Sequence, residues 1–418
     1  MSRWYVPEPS SQRPNWPTVD HLNSNVDPPA RTQWQAGPGG VPAAVGEAQR
    51  RVLLADVRPR QDVEYVGLPA KRGHVVDPFG APAKEGHTGV ARLAVAVPCY
   101  PPARRADATV PGGRRPVVAV LDTGVGDHPW FGDGGRRSWI DARDLGWTPR
   151  VVLPPRADGD VLDPDGLDSH AGHGTFITGL IRQVAPDADV ISLQVMRTDG
   201  SLDEDEVLAA LEWILDRVRT GDAASFVDVV SLSFGYFEQP GDEAHTAKLG
   251  EVLGELGALG VRVVASAGNH KTDAPVYPAA FAGETWLPKP AVPLISLGAL
   301  NPDGAQASYS NFGGWVSHWD IGTSVISTLP RAFGSTSAPA GATDFDGRNF
   351  GGGFARWGGT SFSAASFAGR LARALTDQAV GDSLTDIRPA ACAERAARAL
   401  ARAEEELAAY FHWRPDGR

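Results

Sequence analysis

Five short runs of apolar, largely β-branched residues dominate the middle of the chain: PVVAVLD ending at Asp122, VISLQVM from Val190 to Met196, VDVVSLSFG from Val227 to Gly235, VRVVASAGN from Val261 to Asn269 and PLISLGAL from Pro293 to Leu300. Each is apolar on both faces, which is the condition of a strand in a covered parallel sheet. Helical patterns fall between them. Ser201 followed by Glu204 predicts a capping box, and Val207, Leu208, Leu211, Ile214, Leu215 and Val218 then recur at helical spacing. A second helix is predicted from about His245 to Leu259. Strands alternating with helices imply right-handed βαβ units, and so an α/β fold built on an open, mostly parallel, doubly wound sheet flanked by helices.

The flanks read differently. From Met1 to about Ala44 the chain is rich in Pro, Ser, Asn and Gly, with Trp4, Trp16 and Trp34 interspersed, so it cannot form long regular elements. It is either a disordered tail or an arm whose tryptophans pack on the main domain. RVLLADV and ARLAVAV, between about Gln49 and Val97, read as strands separated by Pro- and Gly-containing loops. At the other end, Cys392, Ala396, Ala399, Leu400, Ala403 and Leu407 form an apolar stripe in the segment from Pro389 to Leu407, which predicts a helix lying on the domain, with a partner-binding helix as the alternative. The organisation expected is an irregular N-terminal extension over residues 1–95 and one domain with a C-terminal helix over residues 96–418.

The 418 residues suffice for one large α/β domain with additions, or for two or three ordinary domains. A formal net charge of -11 argues against non-specific nucleic-acid or anionic-membrane partners, and no apolar run approaches the roughly 20 residues of a membrane helix. The start, MSRWYVPEPSSQRPNWP, lacks the apolar core of a secretory signal, so a cytoplasmic location is expected. Cys99 and Cys392 lie far apart without metal-type spacing and are expected to be free thiols.

In an open parallel sheet, ligands bind outside the carboxyl ends of the strands. The first strand delivers Asp122-Thr123-Gly124, where the Asp is a turn cap or a functional carboxylate. The fourth delivers Ser266, Ala267, Gly268 and Asn269, whose carboxamide is a turn residue or a donor to a developing oxyanion. In DSHAGHGTFITG, His170 and His173 stand three apart, as a metal pair or as one base with a bystander. After GGGFARW comes GGTSFSAASFAG, a loop entering a helix at Ser361, which reads as an N-cap or as a nucleophile whose own N–H is unpaired in the first helical turn.

Singly these signals are weak, but the order Asp122, His173, Asn269, Ser361 is specific, and with VVAVLDTGV, HGTFITG, LSFG, VVASAGN, YPAA, ASYSNFG and ISTLP the chain resembles the subtilisin-like serine proteases from about Pro116 to Leu375. The resemblance implies that Ser361 attacks the scissile carbonyl, His173 is the general base, Asp122 orients the imidazole, and Asn269 with the Ser361 N–H binds the oxyanion. It also implies that Ser233, Phe234 and Gly235 pair with an extended polypeptide substrate, and that together with Ser266, Ala267 and Gly268 they wall the pocket for the side chain before the cut. His170 is then a solvated neighbour at the cleft rim. The chain departs from the pattern at Phe176 after HGT, at Ser363 in place of Ala, and at Ala365 in place of Pro.

The activity expected is therefore that of a serine endopeptidase, latent if an activating partner or removal of the N-terminal arm is required. No cofactor is needed for such catalysis. A structural calcium site at Asp163, Asp165 and Asp168 competes with solvated loop carboxylates. Residues 1–95 suit either a cleaved propeptide or a permanent extension. Two rivals are a catalytically silent peptide-binding or regulatory module on the same fold, and a metal-dependent hydrolase using Asp122, His170 and His173, which lacks the HExxH spacing.

Overall fold

The computed structural model describes residues 92–97, 101–105, 110, 113–131, 140–143, 170–198, 200, 202–284, 290–333, 350–377 and 384–412. After a two-residue first strand, β1 (Leu93–Ala94), the chain builds β2 (Val117–Asp122), β3 (Ile140–Arg143), β4 (Asp189–Gln194), β5 (Val229–Leu232), β6 (Arg262–Ser266), β7 (Ile295–Leu300) and β8 (His318–Ile321). The last seven form one sheet in the order β3-β4-β2-β5-β6-β7-β8, with every pairing parallel.

The five runs singled out in the sequence are thus β2, β4, β5, β6 and β7. The ladder stops short of their polar ends, so that Ser233 to Gly235 and Ala267 to Asn269 leave the sheet as loops. The edge strands IDAR and HWDI carry polar residues and give no apolar run to detect. Nor did the sequence signal the second sheet, an antiparallel one in the order β1-β10-β9, formed with β9 (Val325–Thr328) and β10 (Phe354–Trp357). ARLAVAV contributes β1 to it; RVLLADV, the Pro-rich segment, Cys99 and the Asp163, Asp165 and Asp168 loop lie outside the described residues.

Five α-helices flank the sheet among the described residues: α1 (His173–Val184), α2 (Glu204–Arg219), α3 (Glu243–Ala258), α4 (Thr360–Thr376) and α5 (Pro389–His412). The period of two along a strand sorts β2 between two cores. Val117, Ala119 and Leu121 pack with Leu211, Ile214 and Leu253 of α2 and α3, whereas Val118 and Val120 pack with Ile177, Phe362 and Leu371 of α1 and α4. The next even position is Asp122, so alternation aims its carboxylate at the α1 and α4 side. By the same rule Ser266, two residues beyond Val264, faces that side too.

Helix α2 starts at Asp203, whose carboxylate accepts the Asp205 N–H at 3.0 Å, so the N-cap is Asp203 rather than the predicted Ser201. Acidic Glu204, Asp205 and Glu206 in its first turn and Arg217 and Arg219 in its last complement the helix dipole. The C-terminal stripe is confirmed in α5, where Cys392, Ala396, Ala399, Ala403 and Leu407 are buried and Leu400 is half-buried. Cys392 is a free, buried thiol. Arg370 of α4 donates to Asp320 Oδ2 at 2.9 Å and pairs with Glu406 of α5, tying both helices to β8. No helix among the described residues is long and apolar enough to cross a membrane.

Candidate active site

The chain builds β3 and β4 to one side of β2 and β5 onward to the other, so the winding reverses between β2 and β5. The crevice beyond their carboxyl ends is where an open α/β sheet places a ligand. Asp122 ends β2, and Ser233 follows β5 at once.

Helix α1 opens on His173 at that end of the sheet. Its first turn is pressed against the loop after β2: Gly174 N–H donates to Thr123 Oγ1 at 2.9 Å, and Gly126 N–H donates to Thr175 Oγ1 at 2.9 Å. Only glycine fits at 174, because a Cβ there would lie 2.3 Å from the Gly124 carbonyl oxygen. The outer side is held by β9, with Thr328 Oγ1 donating to Thr175 O at 2.9 Å and Ser327 Oγ to Phe176 O at 2.7 Å.

This close approach sets His173 Nδ1 2.8 Å from Asp122 Oδ1 and 3.0 Å from Oδ2. When Asp122 is ionised it can only accept, so Nδ1 then carries the proton and Nε2 holds the lone pair. The Thr123 N–H also donates to Asp122 Oδ1, at 2.7 Å. Both side chains are 1% exposed. Burial disfavours the charged form of each group: it pushes the Asp122 carboxyl up to about 8, against the bonds from Thr123, and pushes the His173 imidazole well below its usual 6.5.

Helix α4 begins at Thr360, placing Ser361 in its first turn, at the positive end of the helix dipole. Ser361 Oγ donates to Ser233 O at 3.4 Å, and Ser233 Oγ donates to Ser361 O at 3.2 Å. The next residue, Phe362, lays its ring 5.1 Å from the His173 ring, so the imidazole packs against the residue that follows Ser361. Trp357 and Phe176 complete an aromatic box: Trp357 meets His173 edge-on at 5.5 Å, and Phe176 lies 4.6 Å from Phe362. Phe176 is wholly buried, which explains an apolar ring after HGT. Ser363 Oγ donates to Thr360 O at 2.8 Å, a bond that alanine could not make in the turn carrying Ser361.

Asn269 follows β6 and is half-buried. Its Oδ1 accepts the Thr360 N–H at 2.9 Å and the Thr360 hydroxyl at 3.0 Å. Ser233, Phe234, Gly235, Ser266, Ala267 and Gly268 are all buried around this end of the sheet. His170 is not at a solvated rim. It is 3% exposed, its N–H donates to Thr198 O at 2.8 Å, and its ring lies 6.3 Å from that of His173. The tertiary contacts that bury it come from Thr198 and Gly200, beyond β4. Among the described residues no group of three His, Cys, Asp or Glu side chains converges as a metal site would require.

Sequence reasoning passed over Thr360, Trp357, Phe362 and Asn311. Thr360 and Phe362 flank Ser361, and Asn311 stands in ASYSNFG, so the motifs contained them without indicating that they contact the site.

The profile of the subtilase family matches residues 113–400, well over half of the chain. An alkaline protease of Alkalihalobacillus alcalophilus is 27% identical over 235 residues, covering 54% of this chain and 49% of that protein. Subtilisin Savinase of Lederbergia lenta is likewise 27% identical over 235 residues, covering 54% of this chain and 70% of the relative. The matched region thus spans about half the length of the first relative. Among solved structures, a cold adapted subtilisin-like serine proteinase is similar over 74% of this chain and 89% of its own, with a TM-score of 0.42 and 20% identity.

Proposed function

The chain belongs to the subtilase family, and on that premise we propose that it is a serine endopeptidase acting through Asp122, His173 and Ser361. Ser361 Oγ attacks the scissile carbonyl while His173 Nε2 takes its proton and passes it to the leaving amine. A water molecule, activated by the same nitrogen, then hydrolyses the acyl-enzyme. Asp122 holds the imidazole in the Nδ1–H form and stabilises it when protonated. The Ser361 N–H and Asn269 Nδ2 donate to the oxyanion, whose charge is greatest in the transition state. Ser233, Phe234 and Gly235 pair with the extended substrate, and Ser266, Ala267 and Gly268 wall the pocket for the residue before the cut.

The observation that carries this reading is the buried bond from His173 Nδ1 to both Asp122 oxygens, with the imidazole against the residue that follows Ser361. The test is labelling of the purified protein with a fluorophosphonate probe, read by mass spectrometry. Labelling that disappears in Ser361→Ala supports it. Peptide hydrolysis that persists in Ser361→Ala, or that is abolished by a chelator and untouched by the probe, overturns it in favour of metal-dependent hydrolysis. A protein that binds peptides without cleaving them is instead the silent module.

A second feature favours latency. Ser361 is 0% exposed and His173 1% exposed, so a peptide reaches them only after the surrounding residues give way. If the extension over residues 1–95 or an activating partner controls that opening, labelling accelerates when the segment is removed. Equal labelling of the full and shortened chains makes the activity constitutive.

A further inference from the structure

The turn that carries Asn269 is backbone-strained. Gly268 has φ 106° and Lys271 φ 51°, so two left-handed residues lie within four positions, and one of them bears a side chain that disfavours that region. A turn of this kind persists only where its surroundings over-determine it.

Those surroundings are the segment from Tyr309 to Phe312. Lys271 N–H donates to Tyr309 O at 2.9 Å, Asn311 N–H to Gly268 O at 2.8 Å, and Phe312 N–H to Thr272 O at 3.0 Å. The Asn311 side chain adds three bonds. Its Oδ1 accepts the N–H groups of His270 at 2.8 Å and Thr272 at 3.3 Å, and its Nδ2 donates to Ala267 O at 2.8 Å. Asn311 is wholly buried, and its four bonds to the turn bracket position 269 on both sides. A carboxamide alone combines a double acceptor with a donor on so short a stem: aspartate lacks the donor, and an apolar side chain lacks both.

We propose that Asn311 is a positioning residue for the oxyanion donor: it fixes the backbone from which Asn269 hangs, and so sets where Asn269 Nδ2 meets the developing charge. The division of labour is geometric. Thr360 orients the Asn269 carboxamide from the side of α4, and Asn311 clamps the turn from the side of the segment after β7. The inference rests on the role given to Asn269 under the proposed function.

The test is a double-mutant cycle on the full chain, measuring kcat and KM for a peptide substrate with Asn269→Ala, Asn311→Ala, Asn311→Asp and the two combinations. Asn311→Asp keeps the shape and the Oδ1 acceptor while losing the donor to Ala267 O. Each Asn311 variant is expected to lower kcat about tenfold with KM within about twofold, because only a transition-state contact is displaced. In the Asn269→Ala background the same substitutions are expected to change kcat less than about twofold, since the donor they position is gone. Equal factors in both backgrounds, an effect confined to KM or to the melting temperature, or failure of both Asn311 variants to fold would assign Asn311 to the stability of the turn alone and overturn the proposal. If hydrolysis survives Ser361→Ala, the proposed function itself fails and this inference with it. If the Ser361 and Asn269 variants behave as expected while the Asn311 variants do not, only the present inference falls.

Discussion

Thr360 binds the Asn269 carboxamide oxygen twice, through its N–H at 2.9 Å and its hydroxyl at 3.0 Å, and the same hydroxyl accepts the Gly268 N–H at 3.0 Å. The oxygen of Asn269 is thereby committed to α4, and the proposed oxyanion role falls to the amide end of the same side chain. Thr360→Val keeps the side-chain shape but removes the hydroxyl from both bonds. Expected is a fall in kcat of about tenfold, equivalent to ~1.4 kcal/mol, with KM little changed. Steady-state kinetics against a peptide substrate checks it, and a change in KM alone would show that Thr360 acts on ground-state binding.

Removing a donor outright should be costlier than loosening it. Asn269→Ala is expected to lower kcat by roughly 10²–10³, the range associated with loss of one oxyanion contact. Labelling by a fluorophosphonate should slow in parallel, whereas the melting temperature should stay close to the parent value, because Asn269 is only half-buried.

Asp122→Asn presents a carboxamide to His173 where Nδ1 now meets carboxylate oxygens at 2.8 and 3.0 Å. An amide donor there stabilises the tautomer with its proton on Nε2, which is the nitrogen that must accept from Ser361. Loss of about 10⁴ in kcat is expected with a retained fold. Kinetics and circular dichroism on the same preparation distinguish the wrong tautomer from misfolding.

The seating of α1 can be tested at Gly174, where a methyl group would meet Gly124 O at 2.3 Å and Asp122 Oδ1 at 3.1 Å. Gly174→Ala is expected to destabilise the protein by about 1–3 kcal/mol through overpacking and to slow probe labelling of Ser361 by displacing His173. Parent-like denaturation and labelling would mean that the loop after β2 yields at no cost.

His128 supplies a pH dependence separate from the chemistry. Its ring is 4% exposed among Trp130, Phe131 and Phe354, and Trp130 N–H donates to its Nδ1 at 3.1 Å. Burial is the main cause that pushes its pKa from 6.5 down to about 4. Above pH 6.5 both folded and unfolded chains carry it neutral. As pH falls from 6.5 towards 4 the unfolded chain takes up a proton that the folded chain refuses, so stability is lost across that window, by about 3 kcal/mol. His128→Asn keeps an acceptor for Trp130 and cannot titrate. The drop in denaturant-derived stability between pH 7 and pH 4.5 should be smaller in that variant by about this amount, and an equal drop would reject the assignment.

The sequence reported the sheet well because burial on both faces leaves a local signature. β2, β4, β5, β6 and β7 carry apolar residues on both faces, and the polar residues Asp122, Ser233 and Asn269 fall at or just beyond the ends where a parallel sheet binds ligands. It reported α5 for the same reason, since an apolar stripe at helical spacing needs no knowledge of its neighbour. It misassigned the start of α2, where Ser and Asp two residues apart offered competing caps. ARLAVAV read as a strand and holds β1, but the sequence had no access to β3, β8, β9 or β10, which are short or polar and are specified by their partners.

What the sequence by itself determined, then, is the α/β framework and the order of the motifs that bear Asp122, His173, Asn269 and Ser361. The tertiary structure alone decided how those side chains are held. Thr360 and Asn311 converge on the Asn269 turn from segments about 90 and 40 residues away, and Gly174 is required only because the Gly124 carbonyl crosses it. His170, three residues from His173 in sequence, is packed away beneath Gly200 rather than standing at a rim. The physical reason is the same in each case. A strand or helix records its own burial in its own periodicity, whereas a hydrogen bond between distant segments depends on a closeness that no local pattern encodes.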